Sequence, residues 1–147
     1  MSKLFIPPVF VFICCIFIVL FYFLVPGCNL IPYPFNLCGV AVTITGFAFM
    51  GRSRDLFKKH QTTLFIEKSS HLITEGVFSK TRNPMYIGMF LLLLGLGICF
   101  RNLFSILTAF GFILLINFTF ILKEEKMMTE TFGKSYLDYK RSVKRWI

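Results

Sequence analysis

Charge is scarce in this chain, and negative charge is scarcer still. Of its 147 residues only 7 are Asp or Glu, against 16 Lys and Arg, and there are 2 His. No charged residue falls between Leu4 and Gly51, between Asn83 and Phe100, or between Asn102 and Leu122. These gaps exclude a soluble domain: a chain of this length cannot hide 56% hydrophobic residues, 20 of them Phe, from water. The scarcity of ionisable groups inside the apolar runs weighs against a transporter or channel, which places such groups at mid-membrane. Cysteine is present as Cys14, Cys15, Cys28, Cys38 and Cys99, but without a CxxC pair or a histidine at metal-ligand spacing, so no metal site is expected. Cys28 and Cys38 flank a charge-free loop and could pair only if that loop faced an oxidising compartment. No cleavage-site pattern of small residues follows the first apolar run, which is read as a retained helix.

What is present is an all-α integral membrane protein of one domain, residues 1–147, with four transmembrane helices. The spans are expected at about 5–25, 35–51, 84–100 and 103–122. Pro7-Pro8 fit a first helical turn, Pro26-Gly27 a stop, and Asn83-Pro84 an N-cap followed by a first-turn proline. Arg101-Asn102 leaves room only for a tight turn, so the last two spans form a helical hairpin. Gly39, Gly46 and Gly51, with Ala41 and Ala48, allow close helix approach by the second span in lipid, and Gly88, Gly95 and Gly97 lie along the third. The segment 123–147 is amphipathic and expected to be helical, with Tyr136, Tyr139 and Trp146 as interface anchors.

The basic residues orient these spans. Segment 52–82 carries seven Lys/Arg and three acids, and segment 123–147 carries seven Lys/Arg and four acids. Positively charged flanks mark the cytoplasmic side and attract anionic lipid headgroups, and they are no sign of nucleic-acid binding. A cytoplasmic loop 52–83, a cytoplasmic cap 123–147 and both termini inside follow. The hairpin then brings Arg82, Asn83 and the start of the third span level with Lys123-Glu124-Glu125. Taken singly, each has an ordinary role: Arg82 reaching headgroups, Asn83-Pro84 starting a helix, the acids solvated. Together they are harder to dismiss, because a helix C-terminus favours cations over carboxylates, and acids at a membrane edge call for a cationic partner or ligand.

The order T-x-G-V-F-x-x-x-R-N-P-x-Y-x-G, a hairpin, then E-E-x-x-M-x-x-x-F-G-x-x-Y-x-x-Y-x-x-x-V-x-R-W resembles the isoprenylcysteine carboxyl methyltransferases and phospholipid N-methyltransferases. The resemblance runs from about Thr62 to Ile147. It implies S-adenosylmethionine as cofactor, held at the cytosolic end of the last two spans under a C-terminal cap. It also implies a lipid-like or prenylated acceptor, which would enter laterally between helices, where the glycines of spans two and three leave room. Carried onto this sequence, Ser70, His71, Leu72, Ile73 and Phe78 would line the cofactor pocket with Arg82, Asn83, Pro84 and Tyr86. Glu124 or Glu125 would hold the cofactor's ammonium or ribose hydroxyls, Arg82 its carboxylate, and Tyr86 and Phe78 its adenine. Arg82, Glu124 and Glu125 are the candidate catalytic residues. Two positions depart from the prenylcysteine branch. Asn83 stands where that branch has His, and cannot titrate near neutral pH, while Thr119-Phe120-Ile121-Leu122 lacks the Arg that precedes the acid pair there. A carboxylate or an amine acceptor therefore stays open, as does a non-catalytic membrane scaffold that keeps the fold.

Overall fold

A computed structural model describes residues 6–61 and 71–147. Ser70, one of the residues expected to line the cofactor pocket, lies outside them. Five α-helices follow in order: α1 Ile6–Leu24, α2 Cys38–Lys59, α3 Pro84–Cys99, α4 Leu103–Ile116 and α5 Leu122–Ser142. The chain is an all-α membrane protein. Pro7–Leu24, Phe35–Lys59 and the helical run from Leu103 are long and apolar enough to cross a bilayer, and α3 is a shorter apolar helix between them. Large apolar side chains such as Phe12, Phe23, Ile44, Phe47, Leu114 and Phe118 point outward. Lipid is a suitable solvent for that surface and water is not.

The α2–α3 seam is set by glycine. Gly39 lies against Gly95, and Gly46 against Gly88, in antiparallel register. A Cβ on Gly46 would sit 2.6 Å from the Gly88 carbonyl and 2.7 Å from the Leu92 nitrogen, so only glycine permits this approach. At Gly39, Gly46, Gly88 and Gly95 the room expected for a lateral ligand is thus filled by the neighbouring helix, whereas Gly51 has open space around it. α3 is the central helix, with α2 on one side and α4 and α1 on the other. Its Leu93 joins Ile18, Ala109, Phe112 and Ile116 in the buried core.

Asn102 closes the end away from the basic segments. Its side-chain oxygen caps α4 by accepting from the backbone N–H of Phe104 at 2.9 Å, and its amide donates to the Val25 carbonyl at 2.7 Å. The turn before it places Arg101 at φ 63°, and its carbonyl accepts from Leu30 N at 2.9 Å. The end of α1, the loop after it and the hairpin turn are therefore one hydrogen-bonded unit. Cys28 and Cys38 are both free thiols.

Two irregularities shape the other, charged end. Asn117–Ile121 forms a π turn between α4 and α5, an underwound stretch of the kind that recurs at functional sites. Gly133, at φ 51° and ψ −124°, then reverses the chain. A straight helix would separate residues 125 and 145 by about 30 Å, yet their side chains form an ion pair. The reversal corrects one expectation: Tyr136 and Tyr139, on the returning chain, are 2% and 7% exposed and face inward, not outward as interface anchors. Trp146 packs against the edge of the core.

Candidate active site

Where the hairpin emerges at the charged end, two adjacent acids lead different lives. Successive helical residues point about 100° apart, so Glu124 and Glu125 face different neighbours. Glu124 meets α3: the Tyr86 hydroxyl donates to its Oε1 at 2.7 Å. Glu124 lies just past the span, and burial raises its pKa, with the Tyr86 hydrogen bond opposing the rise. Glu125 meets the returning chain. Arg145 grips it with a two-pronged guanidinium, Nε to Oε1 at 2.8 Å and Nη2 to Oε2 at 2.9 Å. Arg82 Nη2 shares Oε1 at 3.1 Å, and Lys140 Nζ lies 3.5 Å from Oε2. Burial would raise the Glu125 pKa, but the Arg145 hydrogen bonds and the charges of Arg82, Arg145 and Lys140 outweigh it and hold the carboxyl below its usual range.

Arg82 is the least satisfied partner. Its side chain is 8% exposed, and its Nε and Nη1 are buried with no hydrogen-bond partner. Leaving a charged donor unpaired in a dry site costs about 1–3 kcal/mol or more. Each nitrogen is a donor for an anionic group, on a different side of the guanidinium.

Asn83 occupies the N-cap position of α3, and Pro84 is buried in the first turn as its fixed φ favours. The Asn83 side chain does not cap the helix. Its amide donates instead to the Arg145 carbonyl at 3.1 Å, beside the Thr81 hydroxyl, which donates to the same oxygen at 3.0 Å. With Arg82 N donating to the Lys144 carbonyl at 3.1 Å, these bonds strap residues 144–145 across the start of α3. The expected loop residues take supporting positions. His71 stacks on His60, ring centroids 4.6 Å apart. His60 and Lys59 both reach Glu75 Oε1, at 2.8 and 2.7 Å. Leu72 is half-buried and Ile73 buried. Phe78 packs edge-on against Phe57, and its carbonyl accepts from the Tyr139 hydroxyl at 2.7 Å.

Arg82, Asn83 and Glu125 are thus joined through Arg145 in one hydrogen-bonded and ionic network, while Tyr86 and Glu124 form a separate pair beside it. Sequence reasoning missed Arg145, Lys140, Thr81 and Asn117, whose Oδ1 accepts from Arg145 Nη1 at 3.4 Å. A signal was available for Arg145: it lies in the V-x-R-W part of the quoted pattern, and two acids on a basic face required cations from somewhere. The π turn had none, for NFTFI reads as ordinary membrane helix.

The family model described as phospholipid methyltransferase matches residues 35–135. The chain belongs to the phospholipid methyltransferase family. A 63-residue uncharacterised protein of Haemophilus influenzae is 36% identical over its whole length, which corresponds to 43% of this chain. Within this phospholipid methyltransferase homologue, the matched region takes in α2, the α3–α4 hairpin and the acid pair, and stops short of Lys140 and the 144–145 strap.

Proposed function

We propose that the protein is an S-adenosylmethionine-dependent methyltransferase that acts on a lipid-like acceptor at the cytoplasmic face of its membrane. One observation carries the reading: the buried Arg82 guanidinium keeps two unpartnered donors, in the same stretch as Tyr86, whose hydroxyl holds Glu124. The amino-acid end of the cofactor is a carboxylate beside an ammonium. Arg82 Nε or Nη1 suits the carboxylate. Glu124 suits the ammonium or a ribose hydroxyl, because a neutral phenol engages one of its oxygens and no cation among the described residues is paired with it. Glu125 is unsuited to either, since both its oxygens already serve cations. When bound, the cofactor supplies an electrophilic methyl on sulfur. The protein's share is alignment and exclusion of water: the 144–145 strap and the buried Tyr136 and Tyr139 close the site from one side. Phe78, tied to Tyr139, supports that closure from the loop.

The acceptor is a membrane lipid or a prenylated molecule. Its lateral route avoids the α2–α3 seam, where backbones touch. A carboxylate acceptor needs no base, whereas an amine must lose a proton, so a rate that rises between about pH 6 and 9 identifies an amine. The test of the reading is binding of S-adenosylmethionine by the folded protein in detergent, with Arg82→Ala expected to weaken it. The departure at Asn83 favours a second reading, a non-catalytic scaffold, which predicts no cofactor binding and no loss of cellular function when Glu124 is replaced.

A further inference from the structure

We infer that Arg145 is a positioning residue that keeps Arg82 free for an anionic ligand. This rests on the methyltransferase reading only for the identity of that ligand. Glu125 has two oxygens and three cations around it, and the division among them is unequal. Arg145 takes both oxygens, while Arg82 contributes Nη2 alone to Oε1 and keeps Nε and Nη1 unpartnered. An Arg–carboxylate pair favours two parallel bonds. Arg82 is held to one because Arg145 already occupies the fork.

Arg145 is itself fixed from three directions. Asn117 accepts from its Nη1, and its carbonyl accepts from both Thr81 and Asn83. The π turn helps here. In a plain α-helix, residues eight apart point about 80° away from each other. The wider turn at Asn117–Ile121 takes up that offset and lets Asn117 and Glu125 address one guanidinium. Removing the Arg145 side chain leaves a buried carboxylate beside an Arg with two spare donors. Arg82 then turns a second nitrogen onto Glu125 and has fewer for the ligand.

The experiment compares Arg145→Gln, Glu125→Gln/Arg145→Gln and wild type in detergent. Calorimetry reads S-adenosylmethionine affinity, and 15N NMR of the Arg82 Nε–H reads its bonding without ligand. Arg145→Gln should bind about tenfold more weakly, the worth of one charge-assisted hydrogen bond, and its Arg82 Nε–H should show the shift and slowed exchange of a bonded group. The double variant should recover both, because a neutral amide in place of the Glu125 carboxylate does not draw Arg82. Additive loss in the double variant, or an unchanged Arg82 resonance in Arg145→Gln, overturns the inference. If Arg145→Gln does not fold, Asn117→Ala carries the test, with about a threefold loss of affinity that Glu125→Gln abolishes; no loss, or a loss that persists, overturns it. Failure of wild type to bind the cofactor defeats the methyltransferase reading, and the Arg82 resonance still decides this one.

Discussion

Neutralising either acid of the pair removes one formal charge from adjacent positions, yet the two substitutions should have very different effects on stability. Glu125→Gln strips the shared anion from Arg82, Arg145 and Lys140. Removing one partner of a buried ion pair costs about 3–5 kcal/mol, because the other charge stays buried without compensation. Here Arg82 is 8% exposed, while Arg145 and Lys140 are 29% and 44% exposed and therefore partly screened. The loss should fall near the lower bound, about 3 kcal/mol. Glu124→Gln removes a desolvated charge held by a neutral phenol, and Gln still accepts from Tyr86, so its effect should stay within about 1 kcal/mol. The assay is denaturant unfolding in detergent, followed by Trp146 emission, since Trp146 adjoins Arg145 and is the only Trp. The pH dependence gives an independent check. The Glu125 pKa is lowered on folding, so its contribution is complete above the unfolded carboxylate value of about 4.3 and is lost as pH falls through the folded value. The gap between wild type and Glu125→Gln should therefore close in acid. The Glu124 pKa is raised, so its contribution runs the other way: wild type loses stability relative to Glu124→Gln as pH rises above about 4.3. A larger loss from Glu124→Gln than from Glu125→Gln at neutral pH would refute this division of roles.

Other substitutions test other parts of the account. Gly46→Leu forces a side chain into the Gly88 backbone and should separate α2 from α3, lowering the unfolding midpoint by the equivalent of about 3 kcal/mol or more, whereas Gly27→Ala, with open space around it, should not through crowding. Asn102→Ala removes the α4 cap and the bond to Val25 together, and should cost about 2–3 kcal/mol in the same unfolding assay. Asn83→Ala should loosen the 144–145 strap, seen as a red-shifted and more quenchable Trp146 emission with helix content retained.

The membrane helices were legible because charge and its absence are local facts. The runs without charge end at Gly51, Phe100 and Leu122, and Pro26-Gly27, Asn83-Pro84 and Arg101-Asn102 mark the breaks. The meeting of Arg82 with the acid pair was legible too, since a two-residue turn leaves a hairpin little freedom. The division of labour between Glu124 and Glu125 was not. It depends on Gly133, one glycine in an otherwise helical stretch, whose reversal returns Lys140 and Arg145 to Glu125. Without that reversal Tyr136 and Tyr139 read as interface anchors, and with it they are buried. Asn83 was read at its position correctly, but its side chain answers to a carbonyl 62 residues away, which local preference does not register. The glycine seam was half legible: Gly39 and Gly46 repeat the seven-residue spacing of Gly88 and Gly95, but small residues alone do not say whether a neighbour is a helix or a ligand.

The central claim is that Arg82 and Glu124, and not Glu125, face the cofactor. It is tested most directly by calorimetric titration of S-adenosylmethionine into folded wild type, Arg82→Lys and Glu124→Gln at neutral pH. The account predicts binding by wild type. It predicts a loss of about tenfold or more in each variant, since Lys cannot both keep the Glu125 contact and supply the guanidinium's further donors, and Gln carries no charge for an ammonium. Binding that survives both substitutions undiminished, or no binding by a wild-type protein shown to be folded, would contradict it.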